Sequence, residues 1–176
     1  FWRLAVPMNE GNGMDDRHRI RADLGELLRA ETADLPGLAA RLIGPEARFD
    51  LSDPIGRLTG PEAVLEGLIA PLRHALDLPR RRDLIYIGGE NRRPAGGTWH
   101  ACVSHITGIF RAPLWGVPPN GKLIFLRSGE FYQVEGGRIV EARLIVDLLD
   151  LLHQIGRYPL PVHYGAPIAF PAPATQ

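Results

Sequence analysis

The chain has 176 residues, 45% hydrophobic and 23% charged, which is enough for one buried core and too short for two ordinary ones. Its 20 basic and 20 acidic residues cancel, so no excess charge draws it to nucleic acid or to an acidic membrane surface. A lone Cys102 leaves no internal disulfide and no thiolate metal cluster, no run of eighteen apolar residues occurs, and the N-terminus lacks a charged start followed by an apolar stretch. The expectation is a cytoplasmic protein with no membrane or nucleic-acid partner.

In chain order, residues 1–14 lack periodicity and read as an N-terminal arm. From Asp15, Ile20, Leu24, Leu27 and Leu28 recur at helical spacing. Asp34 offers an N-cap, and Pro36 a first turn, to a short second helix with Leu38, Ala39 and Leu42. Ala47 to Leu51 and Arg57 to Thr59 read as short extended pieces. Thr59 with Glu62 forms a capping-box signal for a helix carrying Val64, Leu65, Leu68 and Leu72, which Pro71 should kink or end early. The arginine run 80–82 reads as a solvated turn. Strands follow over Asp83 to Gly88, Thr98 to Phe110, Lys122 to Val134 and Arg138 to Val146, then a helix from near Asp147. Helices first and a meander of antiparallel strands after them make an α+β layout. The tail 157–176 is too rich in proline for helix or central strand, yet its Tyr158, Tyr164 and Phe170 predict packing on the domain or on a partner subunit.

The stretch His105 to Gly156 is the most ordered in pattern. Gly116, Pro118, Pro119 and Gly121 form a loop, Glu130 stands mid-strand, Gly137 closes a hairpin turn, and Ile139, Glu141, Asp147, Gln154 and Gly156 follow at fixed spacing. This ordered set resembles the SnoaL-like polyketide cyclases of the NTF2-like superfamily. The resemblance implies an α+β cone over residues 15–156, a curved antiparallel sheet wrapped around N-terminal helices, with an enclosed pocket and homodimers formed through the sheets.

The chemistry is read residue by residue. On the last strand one face is wholly apolar and the other carries Ile139, Glu141, Arg143, Ile145 and Asp147. Pattern alone puts the charged face in solvent; the resemblance turns it towards the cavity. Asp147 is either an N-cap or, as the resemblance implies, the catalytic acid/base. Glu130 must be paired or solvated, and Arg143 on the neighbouring strand is the candidate partner. Arg143 stands where the family usually has an aromatic, so it either neutralises Glu130 or binds an anionic or carbonyl-bearing ligand. His100 and His105, an odd number apart on a strand, point to opposite faces and cannot share a metal; His105 lies at the strand end that the family directs to the cavity, which makes it a second catalytic candidate. Tyr132 and Trp99 are core or interface aromatics, or walls of a substrate site. The loop Arg111 to Lys122 reads as a rigid connection or a lid.

No G-x-S-x-G elbow, G-x-G-x-x-G loop or H-E-x-x-H motif occurs, so neither a cofactor nor a metal is expected. The resulting expectation is a cofactor-independent enzyme in which Asp147, assisted by His105, works on a small hydrophobic carbonyl or ester substrate, with Arg143, Glu130, Tyr132 and Trp99 binding it. The alternatives are a non-catalytic protein that holds a small hydrophobic ligand, and an epoxide or ester hydrolase.

Overall fold

Apolar residues at helical spacing precede long alternating strands, and the molecule arranges them as helices packed inside a curved sheet. A computed structural model describes residues 10–91 and 96–161; most of the expected N-terminal arm, and Tyr164 and Phe170 of the tail, lie outside the described residues. Helix α1 spans Glu10–Glu26, beginning five residues earlier than Asp15, and α2 spans Leu35–Leu42. Strand β1 (Ile43–Leu51) follows α2 directly, and β2 (Arg57–Thr59) matches its expected bounds. Asp34 and Thr59 occupy the N-cap positions of α2 and of the helix that begins at Gly60, but neither side chain makes the capping hydrogen bond.

Helix α3 (Gly60–Val64) continues through a π-turn, Leu65–Ile69, into α4 (Ala70–Ala75). Pro71 therefore does not end the helix. It has no N–H to offer the carbonyl four residues back, that of Gly67. The indole Nε1 of Trp115 donates to that carbonyl at 3.3 Å, which satisfies it and ties the 111–122 loop to the helix.

Strands β3 (Leu76–Glu90), β4 (Thr98–Phe110), β5 (Leu123–Glu135) and β6 (Arg138–Val146) form most of a six-stranded sheet of order β2-β1-β6-β5-β4-β3. All neighbours are antiparallel except β1 and β6, which run parallel, so the sheet departs at one pair from a pure meander. Strand β3 is far longer than expected and includes the arginine run, which is thus not a turn. Gly136 and Gly137, with φ of 54° and 74°, make the tight β5–β6 connection, a conformation that favours glycine at both positions.

One irregularity decides which side chains face inwards. Gln133 lies opposite Glu141 and Val134 opposite Ile139, so Val140 is an extra residue in β6, a β-bulge that resets the alternation. Ile139 is buried on the inner side, and beyond the bulge Ala142, Leu144 and Val146 are buried while Arg143 and Ile145 are exposed. The charged face of β6 is the outer one, as pattern alone had it, and the inward turn implied by the resemblance is corrected.

Helix α5 (Leu148–Gln154) turns back beside β5, and the Asp147–Gly156 motif explains how. Asp147 caps its start: Oδ1 accepts the Asp150 N–H at 2.9 Å. The Gln154 amide accepts the Phe125 N–H at 2.9 Å and donates to the Phe125 carbonyl at 2.8 Å, standing in for a strand along the free edge of β5. Gly156, with φ of 73°, ends the helix as its N–H reaches the His153 carbonyl, and Arg157 N–H reaches that of Leu152.

Candidate functional site

Between the helices and the inner sheet face lies a cavity of about 640 Å³, counted out to its open mouth. Leu24 of α1, Leu27 and Leu28 in the turn just after it, Leu68 and Leu72 from the helix that follows β2, and Ile106, Leu126 and Leu144 of the sheet line most of it. Trp115 closes one side. Its backbone has φ of 45°, rare for a bulky residue, and the indole bond to Gly67 helps hold it there. Against these apolar walls stands one polar patch: Arg81, Ser128, Glu130 and Tyr132.

The patch is built from alternate residues of three adjacent strands. Arg81 and Asp83 come from β3, Cys102 and Ser104 from β4, and Ser128, Glu130 and Tyr132 from β5, all on the inner face. Arg81 grips Glu130 with both guanidinium ends, Nη1 to Oε1 at 2.9 Å and Nη2 to Oε2 at 2.7 Å, and their side chains are only 6% and 2% exposed. Its Nε donates to Asp83 at 2.9 Å, and Asp83 in turn accepts from Arg21 at 2.8 Å. Glu130 also accepts from Ser104 at 2.8 Å, Ser128 at 2.5 Å, Cys102 at 3.3 Å and the Tyr132 hydroxyl. Six donors surround one carboxylate, while the chain Arg21–Asp83–Arg81–Glu130 alternates in sign and sums to zero.

This environment sets the protonation states. Burial alone would push the Glu130 carboxyl up; the Arg81 charge and the hydrogen bonds from Arg81, Ser128 and Tyr132 outweigh it and hold the group well below the usual carboxylate range. Burial, and then the negative charge of Glu130, pushes the Tyr132 phenol and the Cys102 thiol up. For Arg81, burial works against the charged form but Glu130 more than restores it. Near neutral pH the patch is an ionised pair with neutral hydroxyls, and no group in it is poised to exchange a proton.

The residues singled out from the sequence divide between the two sides of the sheet. Glu130 and Tyr132 line the cavity. Asp147 and His105 do not: His105 lies opposite Arg127 in the β4–β5 register, on the face away from Ser104 and Ile106, and Arg127 pairs with Asp147 at 2.7 Å. The two catalytic candidates thus share a neighbourhood around Arg127, but on the wrong side of the sheet for the cavity. His105 is buried with its ring edge-on to Phe125, and its Nδ1 finds no hydrogen-bond partner among the described residues. Burial, then Arg127, lowers its pKa, partly offset by Asp150. His100, on the inner face, meets the Tyr86 hydroxyl through Nδ1 at 3.1 Å.

Arg143 is not the partner of Glu130. It points outwards and binds Glu141 at 2.9 Å, because the β6 bulge places it on the outer face. Trp99 lies on the outer alternation of β4, its indole donating to the Gly96 carbonyl at 3.3 Å, and does not line the cavity. Arg81, the true partner, was hidden in a run that reads as a turn. The signal for it was the Arg81-x-Asp83 spacing, which puts a cation and an anion on one face of a strand. Among the described residues no three His, Cys, Asp or Glu side chains converge where a metal ion could be held, and no described helix is long and apolar enough to cross a membrane.

Comparison with known proteins agrees with this architecture. Residues 94–155 match the family model of the SnoaL-like polyketide cyclases. Among curated proteins no sequence match is found. A candidate SnoaL-like polyketide cyclase from Jannaschia sp. CCS1 superposes with a TM-score of 0.65 at 16% identity, over 82% of this chain and 94% of its own. IdmH, a candidate polyketide cyclase from Streptomyces antibioticus, gives 0.63 at 21% identity, over 80% and 98%. AclR, a candidate hydroxylase from Streptomyces galilaeus, gives 0.60 at 17% identity, over 81% and 99%. At these identities the likeness is one of fold, and the fold hosts more than one chemistry. The chain has the SnoaL-like, NTF2-like α+β fold, and within it residues 94–155 match the SnoaL-like polyketide cyclase family.

Proposed function

We propose that this protein holds a small, mainly apolar molecule in its cavity and does not use Asp147 as an acid or base. One observation carries the reading. The only carboxylate that the described residues place on the cavity wall, Glu130, is surrounded by six donor groups and kept ionised, and outside its polar patch the walls are apolar. A general base needs a free lone pair and a pKa near the working pH, and Glu130 has neither. An apolar concavity with a few fixed polar groups is the usual form of a small-molecule site. Calorimetric titration with indane as an apolar probe tests the reading. Binding by the wild type, its loss in Leu144→Trp, which fills the cavity, and its persistence in Asp147→Asn are expected. If indane binds equally well to Leu144→Trp, the cavity is not the site.

The match of residues 94–155 to the polyketide cyclases favours a second reading, a cofactor-independent enzyme on a hydrophobic carbonyl or ester substrate. In that case the proton-handling groups have to be sought at Glu130 and Tyr132, where the cavity is, and turnover should vanish in Glu130→Gln while Asp147→Asn keeps it. The paired-subunit arrangement implied by the resemblance is also part of the proposal; the exposed apolar residues Ile85, Ile87, Phe131 and Ile145 on the outer sheet face support it.

A further inference from the structure

Counting hydrogens at the polar patch narrows what the cavity takes. Tyr132 has one hydroxyl hydrogen, and it goes to Glu130. Ser104 and Ser128 have two hydrogens between them for three short contacts: Ser104 to Ser128 at 2.8 Å, Ser104 to Glu130 at 2.8 Å and Ser128 to Glu130 at 2.5 Å. Two hydrogens bridge only two of the three contacts, and turning either one outwards would leave two contacts bare, so both serine hydrogens stay inside the triangle whichever way they are shared. Ser128 and Tyr132 therefore turn lone pairs, not hydrogens, to the cavity.

Arg81 completes the inventory. Of its five N–H groups, one goes to Asp83, two to Glu130 and one to the Cys102 sulfur, which accounts for four. The patch thus offers oxygen acceptors and at most one donor, with no net charge along the Arg21–Asp83–Arg81–Glu130 chain.

We infer that the ligand of this cavity is an apolar molecule bearing a hydrogen-bond donor, an alcohol or phenol hydroxyl, at the end that meets Ser128 and Tyr132. The inference rests on the proposal that the cavity is a small-molecule site. A hydroxyl donates to either side-chain oxygen and accepts from the remaining Arg81 N–H. A ketone only accepts, so it leaves the protein oxygens unmatched in a dry pocket. A carboxylate sets its own charge and lone pairs against Glu130 and these same oxygens.

Four probes of one shape test this: indane, 1-indanol, 1-indanone and indane-1-carboxylate, titrated calorimetrically into the full chain. Expected is 1-indanol binding about three- to tenfold tighter than 1-indanone, the effect of one net hydrogen bond, with the carboxylate weakest. That preference should fall below about twofold, within the spread of a single weak hydrogen bond, in the Ser128→Ala/Tyr132→Phe double variant. The single variants should fall in between, and they carry the test alone if the double variant does not fold. Indanone or the carboxylate binding as well as indanol, or a preference that survives the substitutions, overturns the donor assignment while leaving the cavity as a binding site. No binding by any probe, indane included, overturns the cavity proposal itself.

Discussion

Arg127 and Asp147 form an ion pair at 2.7 Å beneath the start of α5, and the other oxygen of the same carboxylate accepts the Asp150 N–H at 2.9 Å. Both oxygens of Asp147 are thus engaged in holding the helix. Replacing Asp147 by alanine removes both the N-cap and the ion pair and should cost about 1–2 kcal/mol. Asparagine caps nearly as well and loses only the partly exposed pair, so it should cost less, about 0.2–1 kcal/mol. Urea unfolding of the two variants checks the order, and probe binding should be unchanged in both. An Asp147→Asn protein as stable as wild type that no longer binds would place Asp147 in the site after all.

The Arg81–Glu130 pair should behave differently, because neither partner reaches water. Glu130→Ala leaves the buried guanidinium only Asp83, which Arg21 already pairs, and should destabilise by about 3–5 kcal/mol. Replacing both residues with methionine removes the two charges together and should cost far less than the sum of the single changes. Chemical denaturation of Glu130→Ala, Arg81→Met and the Arg81→Met/Glu130→Met protein closes the cycle. Additive losses would mean that the two charges do not depend on each other.

The helices were legible because their apolar spacing survives in the fold: Ile20, Leu24, Leu27 and Leu28 are all buried, as are Leu38, Ala39 and Leu42. The hairpin was legible because the glycine pair dictates the turn. The polar patch was only half legible. A mid-strand Glu130 announces a partner, but the expected strand began only at Asp83, and Arg81, a charge in an arginine run where β3 faces inwards, gave no strand signal. The β6 bulge has no sequence signature of its own, and strict alternation without it puts Arg143 on the inner face with Ile139. The Asp147, Gln154 and Gly156 pattern was seen, but each proves to serve the placement of α5: cap, edge pairing and helix end.

Stability should fall with acid in two stages. His100 and His105 have folded pKa values below the ordinary 6.5, lowered chiefly by burial, so the unfolded chain takes up protons first. Their contribution is complete above pH 6.5 and is lost as pH falls through the lowered values. Glu130 follows: its folded value, about 2, lies under the ordinary 4.5, so its contribution is complete above pH 4.5 and disappears as pH drops towards 2. Urea midpoints measured from pH 7.5 down to pH 3 should decline throughout, with the upper part of the decline reduced in His105→Leu. A midpoint that rises on going from pH 7 to pH 5 would contradict the sign of the histidine shifts.

Two rows of residues cross the outer face of the sheet. Ile87, Ala101, Phe131 and Arg143 form one, and Ile85, Val103, Gly129 and Ile145 the next. Ile85, Ile87, Phe131 and Ile145 are exposed, and Gly129 between them leaves the centre flat. Contiguous apolar surface of this kind is unusual on a protein that acts alone. In the proposed pairing a second copy of the chain, laid sheet to sheet, would bury it from both sides. Phe131→Arg puts a charge at the centre of that contact, where an unpaired cation is strongly unfavourable. Sedimentation analysis should therefore find a dimer for the wild type and a single 19.4 kDa chain for Phe131→Arg. Because the cavity is lined by the other face of the sheet, the monomeric variant should still bind the indane probe. A wild-type protein that sediments as a monomer at high concentration would rule out this pairing and leave the apolar rows to a different partner.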